Sequence, residues 1–156
     1  MKTFLLVVHV LTAITAFGSS FAFPFIGTLA QREPAGAYYL TKAIHLTTSR
    51  LLVPVGLTQL VTGTLLIFAE QIDLTRNIWL GVAILIYVGA FAFVFVSQQP
   101  NLRRVLAMMD PSRGAPAPTE EIETLSRRLS FGGMALGAAI LVIAVLMVWK
   151  PGGTVS

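Results

Sequence analysis

Residues 78–96 read IWLGVAILIYVGAFAFVFV, an unbroken run without a charged side chain. A run of about 18 or more apolar residues is long enough to cross the ~30 Å hydrocarbon core of a bilayer as a helix. Working outward, three more stretches have the same character: roughly 4–29, 51–68 and 131–149. Inside lipid the backbone must satisfy its own hydrogen bonds, which each of these segments does as a helix. The pattern predicts an all-α membrane protein, a four-transmembrane-helix antiparallel bundle forming one domain over residues 1–156.

Composition agrees. Of 156 residues, 55% are hydrophobic and 12% charged, against about 25% charged in an average soluble domain. A soluble chain this short leaves too much surface exposed to hide so many apolar side chains. The chain has no cysteine. That excludes disulfides, thiolate metal sites and a cysteine nucleophile. The formal charge is +4, but the basic residues flank the apolar runs. Their role is read as topological, with no nucleic-acid partner.

Met1-Lys2, an apolar run and Ser20-Phe21-Ala22 together resemble a cleavable signal. The apolar run continues through Phe23, Phe25 and Ile26, so it is read as a retained first span. With four crossings, Lys2, Arg76 and Lys150 fall on one side. Arg32, Lys42, Arg50, Arg103, Arg104, Arg113, Arg127 and Arg128 fall on the other. The positive-inside rule places the richer side in the cytoplasm of a bacterial inner membrane, with both termini outside. Trp79 and Trp149 then mark the outer interface, and Tyr38 and Tyr39 the inner one, as ring anchors.

Helical spacing groups the polar and small residues. In the first span His9, Thr12, Ala16, Ser19 and Phe23 form one stripe. Pro24 is expected to kink or end that helix. Tyr38–Arg50 is read as an interfacial stretch running into span two. In span two Gly56, Gln59 and Gly63 share a face that should meet span one, since small residues admit a close neighbour and a buried Gln needs partners. Gly133 and Gly137 form a GxxxG pattern in span four, read as close packing within the bundle in preference to contact with a second protomer. The inner loop, 97–130, holds a short amphipathic helix at Asn101–Asp110, expected to lie on the membrane surface. A proline-rich linker follows at Pro111–Pro118. Glu123 and Arg127 are spaced for an i,i+4 pair.

Candidates for chemistry are few. His9 is the ionisable residue inside a span, a suspect for function and the candidate axial ligand for haem b. His45, the other histidine, belongs near the opposite face, so the two cannot share one haem. Glu70, Asp73 and Arg76 are read as a solvated loop within reach of His9. No nucleophile elbow, P-loop, HExxH or pair of intramembrane carboxylates is present.

His9-Val10-Leu11-Thr12-Ala13-Ile14, Phe17-Gly18 and Phe21-Ala22-Phe23-Pro24 resemble an uncharacterised bacterial family of small integral-membrane proteins. Arg127-Arg128, Gly132-Gly133-Met134 and Leu146-Met147-Val148-Trp149-Lys150-Pro151 are similar to it as well. More distantly, a first-span histidine beside a small-residue face resembles HemJ-type oxidases and CopD-type copper proteins. The HemJ likeness implies haem b at His9 and a lysine in a later span; spans two to four hold no interior lysine. The sequence reading is of a membrane protein without a catalytic set, an accessory or structural subunit partnered by lipid and by other membrane subunits or its own copies. The alternatives are a haem b redox protein using His9, and a small permease along the polar faces of spans one and two.

Overall fold

The computed structural model describes residues 1–33, 35–111 and 119–151. All regular structure among them is helical: α1 (Lys2–Arg32), α2 (Ala37–Thr47), α3 (Val53–Ala69), α4 (Ile78–Phe93), α5 (Gln99–Met108) and α6 (Thr119–Trp149). Two π-helical segments, Thr48–Leu52 and Val94–Gln98, fuse α2 to α3 and α4 to α5. Four long helices result, each long and apolar enough to cross a membrane: Lys2–Ala30, Ala37–Ala69, Ile78–Met108 and Thr119–Trp149. The fused helix Ala37–Ala69 has 33 residues, about 50 Å at 1.5 Å per residue. It therefore overreaches a ~30 Å hydrocarbon layer.

The π turns have a local cause. Each one ends just before a proline, Pro54 or Pro100, which sits in the first turn of the next α segment. A proline ring inside an α-helix clashes with the carbonyl four residues back and removes a donor. Here the backbone widens instead. Val53 N–H bonds to the Thr48 carbonyl and Gln99 N–H to the Val94 carbonyl, both across five residues. The helix passes each proline without stopping. Pro24 likewise does not end α1, which runs on to Arg32. Of the kink or end expected there, the end does not occur.

α3 closes with a left-handed residue, Gln71 at φ 52°. Ile72 N–H bonds to the Ile67 carbonyl (3.0 Å) and Gln71 N–H to that of Phe68 (3.2 Å). This is the Schellman pattern, usually built on glycine. Lys2 Nζ lies 3.5 Å from Glu70 Oε2, which ties the start of α1 to the α3–α4 loop. The two share a side, called here the terminal side; the opposite one is the loop side.

α1 packs on α2 and α3 and also touches α6, and α6 packs on α4. α3 and α4 meet through side chains: Tyr87 O–H donates to the Gly56 carbonyl (2.7 Å), and Phe91 lies against Gly56. Large apolar residues along the spans face outward; Leu85 in α4 is 74% exposed. Lipid covers such a surface at no hydrophobic cost.

One apolar cluster is buried at the loop-side ends of the long helices. Val105, Met108 and Leu125 are buried together, with Met109, Ile122 and Leu129 against them. This corrects one expectation. The amphipathic helix of the 97–130 segment exists as α5, but it continues the α4 helix and turns its apolar face onto α6. It does not lie flat on the membrane. An apolar face needs an apolar cover, and here the first turns of α6 supply it. Arg104 and Glu121 make an ion pair across the hairpin. The linker at 112–118 and the end at Gly152-Gly153 lie outside the described residues.

Candidate functional site

The polar stripe of α1 meets the polar face of α3. His9 Nε2 is 2.9 Å from Gln59 Nε2, and His9 Nδ1 is 2.9 Å from Thr62 Oγ1. Thr12 O–H donates to Gln59 Oε1, with the Val8 and His9 carbonyls also in reach at 2.9 Å. One proton arrangement satisfies every atom. The Gln59 amide donates to Nε2, Nδ1–H donates to Thr62, and the Thr62 hydroxyl donates to the Thr58 carbonyl at 2.8 Å. His9 is then neutral, with the proton on Nδ1.

The backbone makes room for this ring. A Cβ at Gly63 would come 3.1 Å from His9 Cε1, so glycine lets the imidazole lie on α3. Thr62 is buried at 6% exposure. Ala16 is half-buried two turns on from His9. Two helical turns back along α3 from Gly63, Gly56 accommodates Phe91: a Cβ there would fall 2.6 Å from Phe91 Cε2. Tyr87 stacks on Phe91, which meets Phe95 edge-on at 5.1 Å.

The terminal-side loop does not join His9. Glu70 pairs with Lys2, and Arg76 Nε lies 3.5 Å from Asp73 Oδ2. Hydrogen bonds from the Thr75 side chain and backbone hold the exposed Asp73 carboxyl below its ordinary range. His45 stands on α2 near the loop side. Its Nδ1 is buried without a hydrogen-bond partner, and Gln99 and Arg103 lie beside it. No group of three or more His, Cys, Asp or Glu among the described residues could hold a metal ion.

The remaining residues singled out from sequence lie as follows. Gly133 is exposed, and no atom would meet a Cβ at Gly133 or Gly137. The inward glycine of α6 is Gly132, buried against Phe93 and Gln98. Trp79 is buried, with Nε1 unpartnered, whereas Trp149 is exposed. Tyr38 and Tyr39 meet edge-on at 5.3 Å, and Lys42 Nζ lies 5.6 Å from the Tyr38 ring. Glu123 and Arg127 form none of the ion pairs found among the described residues.

Sequence reasoning missed two residues in these clusters. Thr62 sits three positions after Gln59 and so on its face. Gln99, next to Pro100 at the end of an apolar run, is buried and carries an unpartnered Oε1.

The surroundings of His9 do not fit a haem. An axial ligand needs one free ring nitrogen with its lone pair aimed at the iron. Both ring nitrogens of His9 are engaged by side chains of α3, and the ring rests on Gly63. The arrangement is suited to clasping two helices. No curated protein and no solved structure matches the chain. A family model does, over residues 3–151, and the chain belongs to that family, the predicted integral membrane proteins of DUF2269.

Proposed function

We propose that the chain is a non-catalytic, multi-pass membrane protein that serves as a structural or accessory subunit of a membrane assembly, including one made of its own copies. The observation that carries this reading is the closed network of His9, Thr12, Gln59 and Thr62. These polar groups of the first two spans are spent on one another, holding α1 to α3. The outward Gly133 and Gly137 of α6 support the association half of the reading, because small residues at this spacing let a further helix approach closely. The side rich in Arg and Lys is assigned to the cytoplasm of a bacterial inner membrane on the positive-inside rule.

The test is purification in mild detergent with native mass determination and an absorption spectrum. The expected protein is colourless and larger than a monomer, and the paired substitution Gly133→Ile and Gly137→Ile reduces it to monomer with helix content unchanged. A Soret band lost in His9→Ala would replace this reading with haem binding. Solute flux in proteoliposomes abolished by Gln59→Leu would replace it with transport.

A further inference from the structure

On the loop side, a groove of about 250 Å³ opens between the two fused helices. Its lining is Ser49, Val53, Phe95, Gln99, Pro100 and Arg103. Ser49 and Phe95 belong to the two π-helical segments, and Val53 and Gln99 are the residues that follow them. The proline-induced widening of both helices thus occurs at one level and borders one space. π turns of this kind recur at functional sites.

The wall is divided by chemistry. Val53, Phe95 and Pro100 are apolar, and Phe95 continues through Phe91 to Tyr87 as an aromatic line between α3 and α4. Val96, beside Phe95, is 80% exposed, so apolar surface at this level faces outward. Arg103 forms none of the ion pairs found among the described residues. Gln99 is only 6% exposed, and its Oε1 is buried beside His45, out of a ligand's reach. The Ser49 hydroxyl spends its hydrogen on the His45 carbonyl at 2.7 Å, which leaves the oxygen as an acceptor.

The groove therefore offers one cation, Arg103, and one hydrogen-bond acceptor, Ser49 Oγ, with an apolar track leading toward the membrane interior. We propose that it binds a phosphorylated amphiphile or its head group. The phosphate lies against Arg103, and a hydroxyl or ammonium on the same head group donates to Ser49 Oγ. A phospholipid with a glycerol or ethanolamine head carries both functions, and its acyl chain follows the Phe95–Phe91 track. The soluble source of the same chemistry is a free phosphorylated alcohol or amine. The site is separate from the His9 clasp and does not depend on its role.

The experiment is native mass spectrometry of the intact protein released from detergent supplemented with phosphatidylglycerol or phosphatidylethanolamine. A second arm measures the thermal midpoint with glycerol phosphate or phosphoethanolamine. Arg104→Gln, which removes a neighbouring arginine already paired with Glu121, controls for general charge. In the lipid case, wild type and Arg104→Gln retain one phospholipid. Arg103→Gln and Ser49→Ala each retain less, Arg103→Gln by about tenfold, the loss of one charge-assisted hydrogen bond. If no lipid is retained but the soluble head groups raise the midpoint of wild type and not of Arg103→Gln, the site stands and its ligand is the free compound. Equal lipid retention in wild type, Arg103→Gln and Ser49→Ala, with no shift from the soluble head groups, overturns the proposal.

Discussion

Replacing Gln59 by leucine removes two of the three side-chain hydrogen bonds that join α1 to α3, those to His9 and Thr12. The third, His9 to Thr62, remains. Interhelical hydrogen bonds inside membranes average about 0.6 kcal/mol and reach about 1.7. Gln59→Leu should therefore cost about 1–2 kcal/mol. Thr12 contributes little to that sum, because its hydroxyl turns to the Val8 carbonyl at 2.9 Å; His9 Nε2 is left without a partner. His9→Leu also breaks two bonds, to Gln59 and Thr62, and should cost a similar amount. The double variant loses the His9–Gln59 bond only once and leaves neither partner stranded. It should cost less than the sum of the single changes by about 1 kcal/mol, the coupling usual for residues in one network. Reversible unfolding of the purified protein in mixed micelles, titrated with dodecyl sulfate and followed by circular dichroism, measures all four corners of this cycle. Additivity within about 0.3 kcal/mol, or neutral single variants, would refute the clasp.

Other perturbations follow from particular contacts. Gly56→Ala sets a Cβ 2.6 Å from Phe91 and should destabilise by about 1–3 kcal/mol in the same unfolding assay, the usual cost of overpacking. Leu125→Ala, at a position 7% exposed between α5 and α6, should cost about 2–5 kcal/mol and speed proteolysis within the hairpin; unchanged cleavage would argue that α5 is not held there. Gln71→Gly relieves a left-handed backbone at φ 52° and should raise stability by up to about 1 kcal/mol, read as a higher Tm. Asp73 should titrate below an ordinary aspartate by NMR, and Thr75→Val should return it toward the usual range. Because its folded-state pKa is lowered, any stability it adds is present above the unfolded pKa and fades as pH falls through the folded one.

The apolar runs made the four crossings legible, because hydrocarbon thickness sets a length that chance rarely produces in a soluble chain. Helical spacing also made legible that Gln59 and Gly63 share a face, and that Tyr38–Arg50 could run unbroken into span two. Other features were hidden for physical reasons. The periodicity of α5 states that one face is apolar but not whether lipid or protein covers it, and the Met108–Leu125 contact supplied that answer. Adjacent glycines at 132 and 133 look alike in sequence, yet they point about 100° apart on a helix, and only Gly132 turns inward. Nothing in the sequence marks Pro54 or Pro100 as following a wide turn. That both are bypassed by wider turns depends on how the backbone relaxes. The meeting of His45, Gln99 and Arg103 joins distant parts of the chain, so local spacing carries no trace of it.

Each wide turn ahead of Pro54 and Pro100 lodges a surplus residue in its helix. The faces of α2 and α5 are thereby in phase with the membrane halves only while that residue stays looped in. Winding it into a regular α turn at Thr48–Leu52 would swing all of α2 by about 100° around its axis. Orientation of the loop-side halves is thus set by a count of residues at one depth, and slippage by one notch would present a different set of side chains to whatever lies beyond the bilayer.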